Sequence, residues 1–226
     1  TQQTAQANTC AWVVGIIASG QRIRQFADCC RIPPTTKGRQ AMAVETGEKL
    51  LTGEELLALG DIGPCELIEG RLVMMSPTSD LHGGYESNFD EQLKAYVRRH
   101  RLGKVRVGEV GIYIRRNPDT VRGADVVFIS NERYARQQRQ SGFLDVAPDL
   151  VVEIMSPDDR WQEVNEKLRD YFSIGVRLVW VANPAEPAVY VYRSLTDVRR
   201  FGSEDVLTGD EVLPGFNVPV ATLFED

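Results

Sequence analysis

The sequence predicts an α/β (α+β) domain: a strand–turn–helix–strand unit with an N-terminal hairpin before it and a C-terminal β extension after it. Three observations carry this reading. Residues 148–184, PDLVVEIMSPDDRWQEVNEKLRDYFSIGVRLVWVANP, read as strand, turn, helix and strand. The first of those strands, Leu150–Met155, is apolar except for Glu153, and a run without alternation marks a strand covered on both faces. Tyr85, Phe89, Leu93, Tyr96, Val97 and His100 recur at helical spacing, so one long amphipathic helix precedes that unit.

Size and charge narrow the function classes. A chain of 226 residues holds one substantial domain with extra pieces, or at most two small ones. With 42% hydrophobic and 26% charged residues its composition is that of a globular protein. The net charge of -6 argues against a general nucleic-acid coating protein, so any such contact must be local. No apolar run approaches the roughly 20 residues that span a bilayer, and the expected location is cytoplasmic. Cys10, Cys29, Cys30 and Cys65 form no CxxC pair, and with only two histidines in the chain a structural zinc site is not expected.

Taken in order, residues 1–44 differ in texture from the rest of the chain and are expected to be an upstream extension, with Met42 as the natural start. The domain is expected over residues 45–226. Thr52 followed by Glu55 is a capping-box pattern for a helix over Gly53–Leu59. Cys65–Ser76 reads as a hairpin turning at Glu69-Gly70. Ser79 or Asp80 caps the long helix, which runs to about Arg101 and is stopped by Gly103. His82 and Glu86 project to its buried side, where Glu86 is read as a metal ligand or an Arg partner. Lys104–Arg115 and Arg122–Ser130 are strands, and Asn131–Gly142 is a surface loop or short helix. Asp159 is the expected N-cap of the next helix, whose apolar stripe is Trp161, Val164, Leu168, Tyr171 and Phe172. Arg177–Ala182 and Ala188–Arg193 come next as strands, and short strands close the chain at LPGFNVPV.

The chemistry begins with Glu153. A buried ionised carboxylate is costly unless a metal, a cation or several donors compensate it. Asp125 opens the apolar run of the preceding strand; if the two strands are neighbours they lie about 4.8 Å apart, which lets the two carboxylates share one divalent ion. Mg²⁺ suits one or two carboxylates completed by water and phosphate oxygens, and it activates water against a phosphodiester. Lys167 sits at the margin of its helix stripe, beside Val164 and Tyr171, within reach of the sheet. There its ammonium would stabilise charge developing on phosphate. The competing local reading is an i,i+4 pair with Glu163.

These residues also carry a resemblance. GAD at 123–125, PDLVVEIMSP at 148–157 and EKLRDYFSIGVRLVWVANP at 166–184 resemble the Uma family of restriction endonucleases, within the PD-(D/E)XK nuclease superfamily. CELIEGRLVMMSPTSDLHG at 65–83 and LPGF at 213–216 extend the likeness over roughly residues 45–226. The resemblance implies a restriction-endonuclease-like core, a mixed sheet flanked by helices, and Mg²⁺-dependent phosphodiester hydrolysis, with Mn²⁺ as a substitute ion. By position, Asp125 and Glu153 are the metal-binding acids. Met155 stands where the superfamily has its lysine, and the resemblance moves that role to Lys167. His82, Glu66 and Glu109 enter the site by motif position, Glu109 as a further metal ligand.

The expectation is therefore a metal-dependent endonuclease acting on nucleic acid, DNA before RNA, with homodimerisation as a means of cutting two strands. Its rival is a nuclease-fold binding or assembly module that no longer cleaves, for which Met155 and the acidic balance leave room.

Overall fold

The computed structural model describes residues 49–138, 142–157 and 159–225, so the expectation for residues 1–44 lies outside the described residues. Helix α1, Gly53–Ala58, opens on the expected capping box: the Thr52 hydroxyl accepts from Glu55 N while the Glu55 carboxylate accepts from Thr52 N. Strands β1, Cys65–Ile68, and β2, Arg71–Met74, form the hairpin. Its turn falls at Glu69 and Gly70, both at positive φ, the geometry of a tight hairpin turn.

Helix α2, Asp80–His100, is capped by the Ser79 hydroxyl. It ends at Arg101, which adopts the left-handed conformation with φ 56°, and not at Gly103. Gly103 instead opens β3, Gly103–Arg115, where a Cβ would lie 2.0 Å from the Ile129 carbonyl oxygen. Close strand approach, not helix termination, is what requires a glycine there. On α2, Phe89, Leu93 and Val97 are buried as the stripe predicts, whereas His100 at the last turn is exposed.

Strand β4, Thr120–Ser130, is followed by the short helix α3, Asn131–Tyr134, and by β5, Leu150–Ile154, every residue of which is buried. Helix α4, Trp161–Ser173, buries Val164, Leu168 and Tyr171. Two expectations fail at its start. Arg160, not Asp159, is the N-cap residue, because the Asp159 carboxylate accepts from Ser156 N in the preceding turn. Trp161 is exposed and meets Tyr190 edge to face. The chain continues through β6, Leu178–Asn183, β7, Ala188–Tyr192, β8, Val198–Gly202, β9, Val206–Gly209, and β10, Leu213–Pro219, to a 3₁₀ turn at Val220–Phe224.

Strands β1–β8 form one mixed, mostly antiparallel sheet in the order β2-β1-β4-β5-β6-β7-β8, with β3 also on β4; only β5 and β6 pair in parallel. The parallel pair is joined by α4, as a crossover connection requires. One sheet face, through Val126, Phe128, Val152 and Trp180, packs on α2, the β9–β10 hairpin and the 3₁₀ turn. The other, through Val127, Val151, Val179 and Val181, packs on Val164, Leu168 and Tyr171 of α4. The mixed sheet with helices on both faces is the expected architecture.

One feature of β4 places the site. Strand β3 runs along one edge of it from Thr120 to Ser130. The other edge is shared: β1 pairs only at Val121, and β5 only at Val126–Phe128. Between them the edge of β4 is forked open over residues 122–125.

Candidate active site

In the fork, side chains replace a strand. The Glu66 carboxylate of β1 accepts from Gly123 N at 3.0 Å, and the Gly123 carbonyl accepts from both Lys167 Nζ and the Tyr171 hydroxyl at 3.2 Å each. Glu66 also holds Arg122 Nη1 at 2.8 Å, and Arg122 Nε reaches Asp170 of α4 at 2.7 Å. The hairpin, β4 and α4 are thus laced together by partly buried charge.

The register pairing Val126 with Val152 continues to Asp125 opposite Glu153. Both carboxylates are buried. Asp125 Oδ2 accepts from Ile154 N at 2.6 Å, which ties the two strands beyond their last ladder pair. Its Oδ1 lies 3.3 Å from His82 Nε2, and His82 Nδ1 lies 3.2 Å from the Ser156 hydroxyl. Glu153 Oε2 accepts from Lys167 at 2.7 Å and Oε1 from Tyr171. Lys167 therefore pairs with the sheet beneath its helix, not with Glu163, whose carboxylate faces Arg160 N.

Glu109 arrives by a local irregularity. The β3–β4 register runs from Val107↔Val126 to Val110↔Ala124, so Gly108 and Glu109 together oppose Asp125. This is a β-bulge, and both of its residues stand at positive φ, 88° and 49°. The pleat of β4 slips there as well: Ala124 packs on the α4 face with Val127 and Ile129, where strict alternation would put it opposite. The bulge lays the Glu109 carboxylate over Gly123, where a Cβ would meet Oε2 at 2.4 Å. The Glu86 carboxylate, expected on a metal or an Arg, instead serves the bulge backbone: its Oε1 accepts from Gly108 N at 2.7 Å.

The electrostatics follow from burial and crowding. Burial pushes the Glu153 carboxyl up, to about 7; Lys167 opposes the shift and the Asp125 charge adds to it. Burial likewise raises Glu109 and Glu86, with Asp125 the next cause in each. Burial pulls on the Lys167 ammonium, but Glu153 and Glu66 outweigh it and hold the group charged, above its ordinary range. The hydrogen bond to Asp125 raises His82. Burial and the Glu153 charge push the Tyr171 hydroxyl well up, so it stays a donor.

The donor set suits a hard divalent ion. It consists of carboxylates, and a cation would offset both the burial that raises Glu153 and Glu109 and the Asp125 charge that adds to it. The Glu109 carboxylate accepts no hydrogen bond from the described residues. As the side chains stand, no group of three His, Cys, Asp or Glu among the described residues is ready to hold an ion.

Asp125, Glu153, Lys167 and His82 therefore meet in one place, with Glu109 beside them and Glu66 behind Lys167. Sequence reasoning missed Tyr171, assigned to the apolar stripe, and Ser156. The signal for Tyr171 was its position one turn after Lys167. For Ser156 there was none, since its partner is distant in the chain.

Comparison with known proteins adds the family. The family described as "Uma2: Putative restriction endonuclease" matches residues 54–221. A crystal structure described as a putative nuclease belonging to DUF820, from Anabaena variabilis, superposes with TM-score 0.65 at 20% identity, covering 77% of this chain and 97% of that one. At that identity the likeness establishes a shared fold. No curated protein matches the chain.

Proposed function

This chain belongs to the Uma2 family, and from that premise we propose that it is a metal-dependent nuclease that hydrolyses phosphodiester bonds of DNA at the fork in β4. The observation that carries the reading is the meeting of Asp125, Glu153 and Lys167, from three separate elements, on one buried cluster with excess negative charge.

Asp125, Glu109 and Glu153 would hold the ion, Mg²⁺ or Mn²⁺, which supplies polarisation of the phosphodiester and an activated water. The chain's own groups do the rest. Lys167 stays an ammonium beside Glu153, so it acts as a charge and a donor and not as a base; it stabilises negative charge developing on phosphate oxygens. Tyr171 holds the second oxygen of Glu153, fixing the carboxylate's orientation. His82, held between Ser156 and Asp125, presents a proton-bearing ring beside the acids.

A module that binds without cutting draws support from one observation: both oxygens of Glu153 are taken by α4. Supercoiled plasmid incubated with Mg²⁺ or Mn²⁺ separates the two readings. The nuclease reading expects nicking or linearisation that Asp125→Asn abolishes. Equal cleavage by both proteins, or none by wild type together with no calorimetric Mn²⁺ binding, overturns it in favour of the module.

A further inference from the structure

We propose that Glu86 is a positioning residue: by accepting the Gly108 amide proton it locks the β3 bulge in the conformation that delivers Glu109 to Asp125. This deepens the nuclease reading and rests on it only for what Glu109 does there.

Three features point to the lock. Glu109 is a non-glycine residue at φ 49°, a backbone state that persists only where the surroundings enforce it. The residue before it, Gly108, also stands at positive φ, and its N–H points out of the ladder toward α2. Glu86 lies one helical turn after His82 on α2, and its Oε1 meets that N–H at 2.7 Å. A charged acceptor on a backbone donor is among the stronger hydrogen bonds available to the chain.

The consequence is geometric. An extra residue in a strand re-aims the side chains at the bulge. Without it, β3 would pair residue for residue with β4 here and leave no residue free to turn toward Asp125. With it, the Glu109 carboxylate lies over Gly123, a position kept open because residue 123 has no side chain. Helix α2 thus contributes twice. His82 meets Asp125 directly, and Glu86 acts on the opposite strand through the backbone.

The conservative variant separates a lock from a metal ligand. Glu86→Gln keeps an oxygen acceptor for Gly108 N–H and discards the charge, whereas Glu86→Ala discards both. In the full chain labelled with ¹⁵N-glycine, the Gly108 amide is expected to exchange about tenfold faster or more in Glu86→Ala and to stay near wild type in Glu86→Gln. Calorimetric titration with Mn²⁺ alone is expected to lose about 10–100-fold in affinity in Glu86→Ala, with Glu86→Gln within about threefold of wild type. Adding Glu86→Ala to Glu109→Gln is expected to change little, since both act through one carboxylate. Glu86→Gln as damaged as Glu86→Ala, or unchanged Gly108 exchange in Glu86→Ala, overturns the proposal. Wild type that binds no Mn²⁺ overturns the metal reading instead, and the Gly108 amide then decides the lock by itself.

Discussion

Lys167 and Tyr171, one turn apart on α4, hold opposite oxygens of Glu153 and both reach the carbonyl oxygen of Gly123. A single helix therefore fixes the orientation of the acid and the charge beside it. The arrangement gives the two residues different thermodynamic roles. Lys167 supplies compensating charge, and Tyr171 supplies a neutral donor.

Removing the charge leaves the buried Glu153 carboxyl without its cation, and the carboxyl, already raised to about 7, takes up a proton rather than stay ionised. Lys167→Met is therefore expected to cost about 1–2 kcal/mol at neutral pH, a loss that grows as pH rises. Tyr171→Phe is expected to cost about 1–3 kcal/mol. Urea unfolding followed by circular dichroism at pH 6 and at pH 9 measures both, and a Lys167→Met loss that does not grow with pH would contradict this division.

Glu153 carries a pH signature. Its carboxyl is raised from 4.5 to about 7, so the folded state binds a proton more tightly than the unfolded chain. The stabilising contribution is present in full below about 4.5 and is lost as pH rises through about 7. Metal-free protein should therefore melt at higher temperature at pH 6 than at pH 8, with other groups adding their own slopes. Glu153→Gln should flatten the difference; an unchanged slope in that variant would refute the assignment.

Gly123→Ala tests Glu109 without touching it. Position 123 has no positive φ, and the added Cβ collides with Glu109 Oε2, the far end of a flexible side chain. The variant is expected to fold, with its melting temperature close to wild type, while Mn²⁺ affinity falls by about 10–100-fold. Wild-type affinity in Gly123→Ala would place Glu109 outside the ion site.

Helix α4 is seated by Leu168, which lies fully buried against the sheet face that carries Val127, Val151 and Val179. Leu168→Ala is expected to lower unfolding free energy by about 2–5 kcal/mol. Because the helix carries both partners of Glu153, cleavage should fall more steeply with temperature than in wild type, which a rate series at several temperatures checks.

The sequence made legible the groups whose burial conflicts with their chemistry. Glu153 stood out as one acid in an apolar strand, Asp125 as its neighbour, and Lys167 as a cation on the margin of a stripe. The helix boundaries at Thr52 and Ser79 were visible because capping has a fixed local spacing. What stayed hidden acts through the backbone. Glu66 and Glu86 serve the amides of Gly123 and Gly108, and a main-chain donor leaves no mark in composition or periodicity. The bulge had one trace, a glycine inside an otherwise alternating strand, which is a known sign of such an irregularity. Trp161 and His100 were misplaced for a simpler reason: a helical wheel gives the face of a residue but not whether the opposing layer extends that far.

Under the nuclease reading, the forked edge of β4 separates what the fold needs from what cleavage needs. Glu66, Lys167 and Tyr171 stand in for a missing strand at Gly123, so a descendant that needs only the shape must keep them. Glu109 and His82 pair no strand. A relative that kept only the fold would therefore be expected to lose Glu109 and His82 while it kept Glu66, Lys167 and Tyr171.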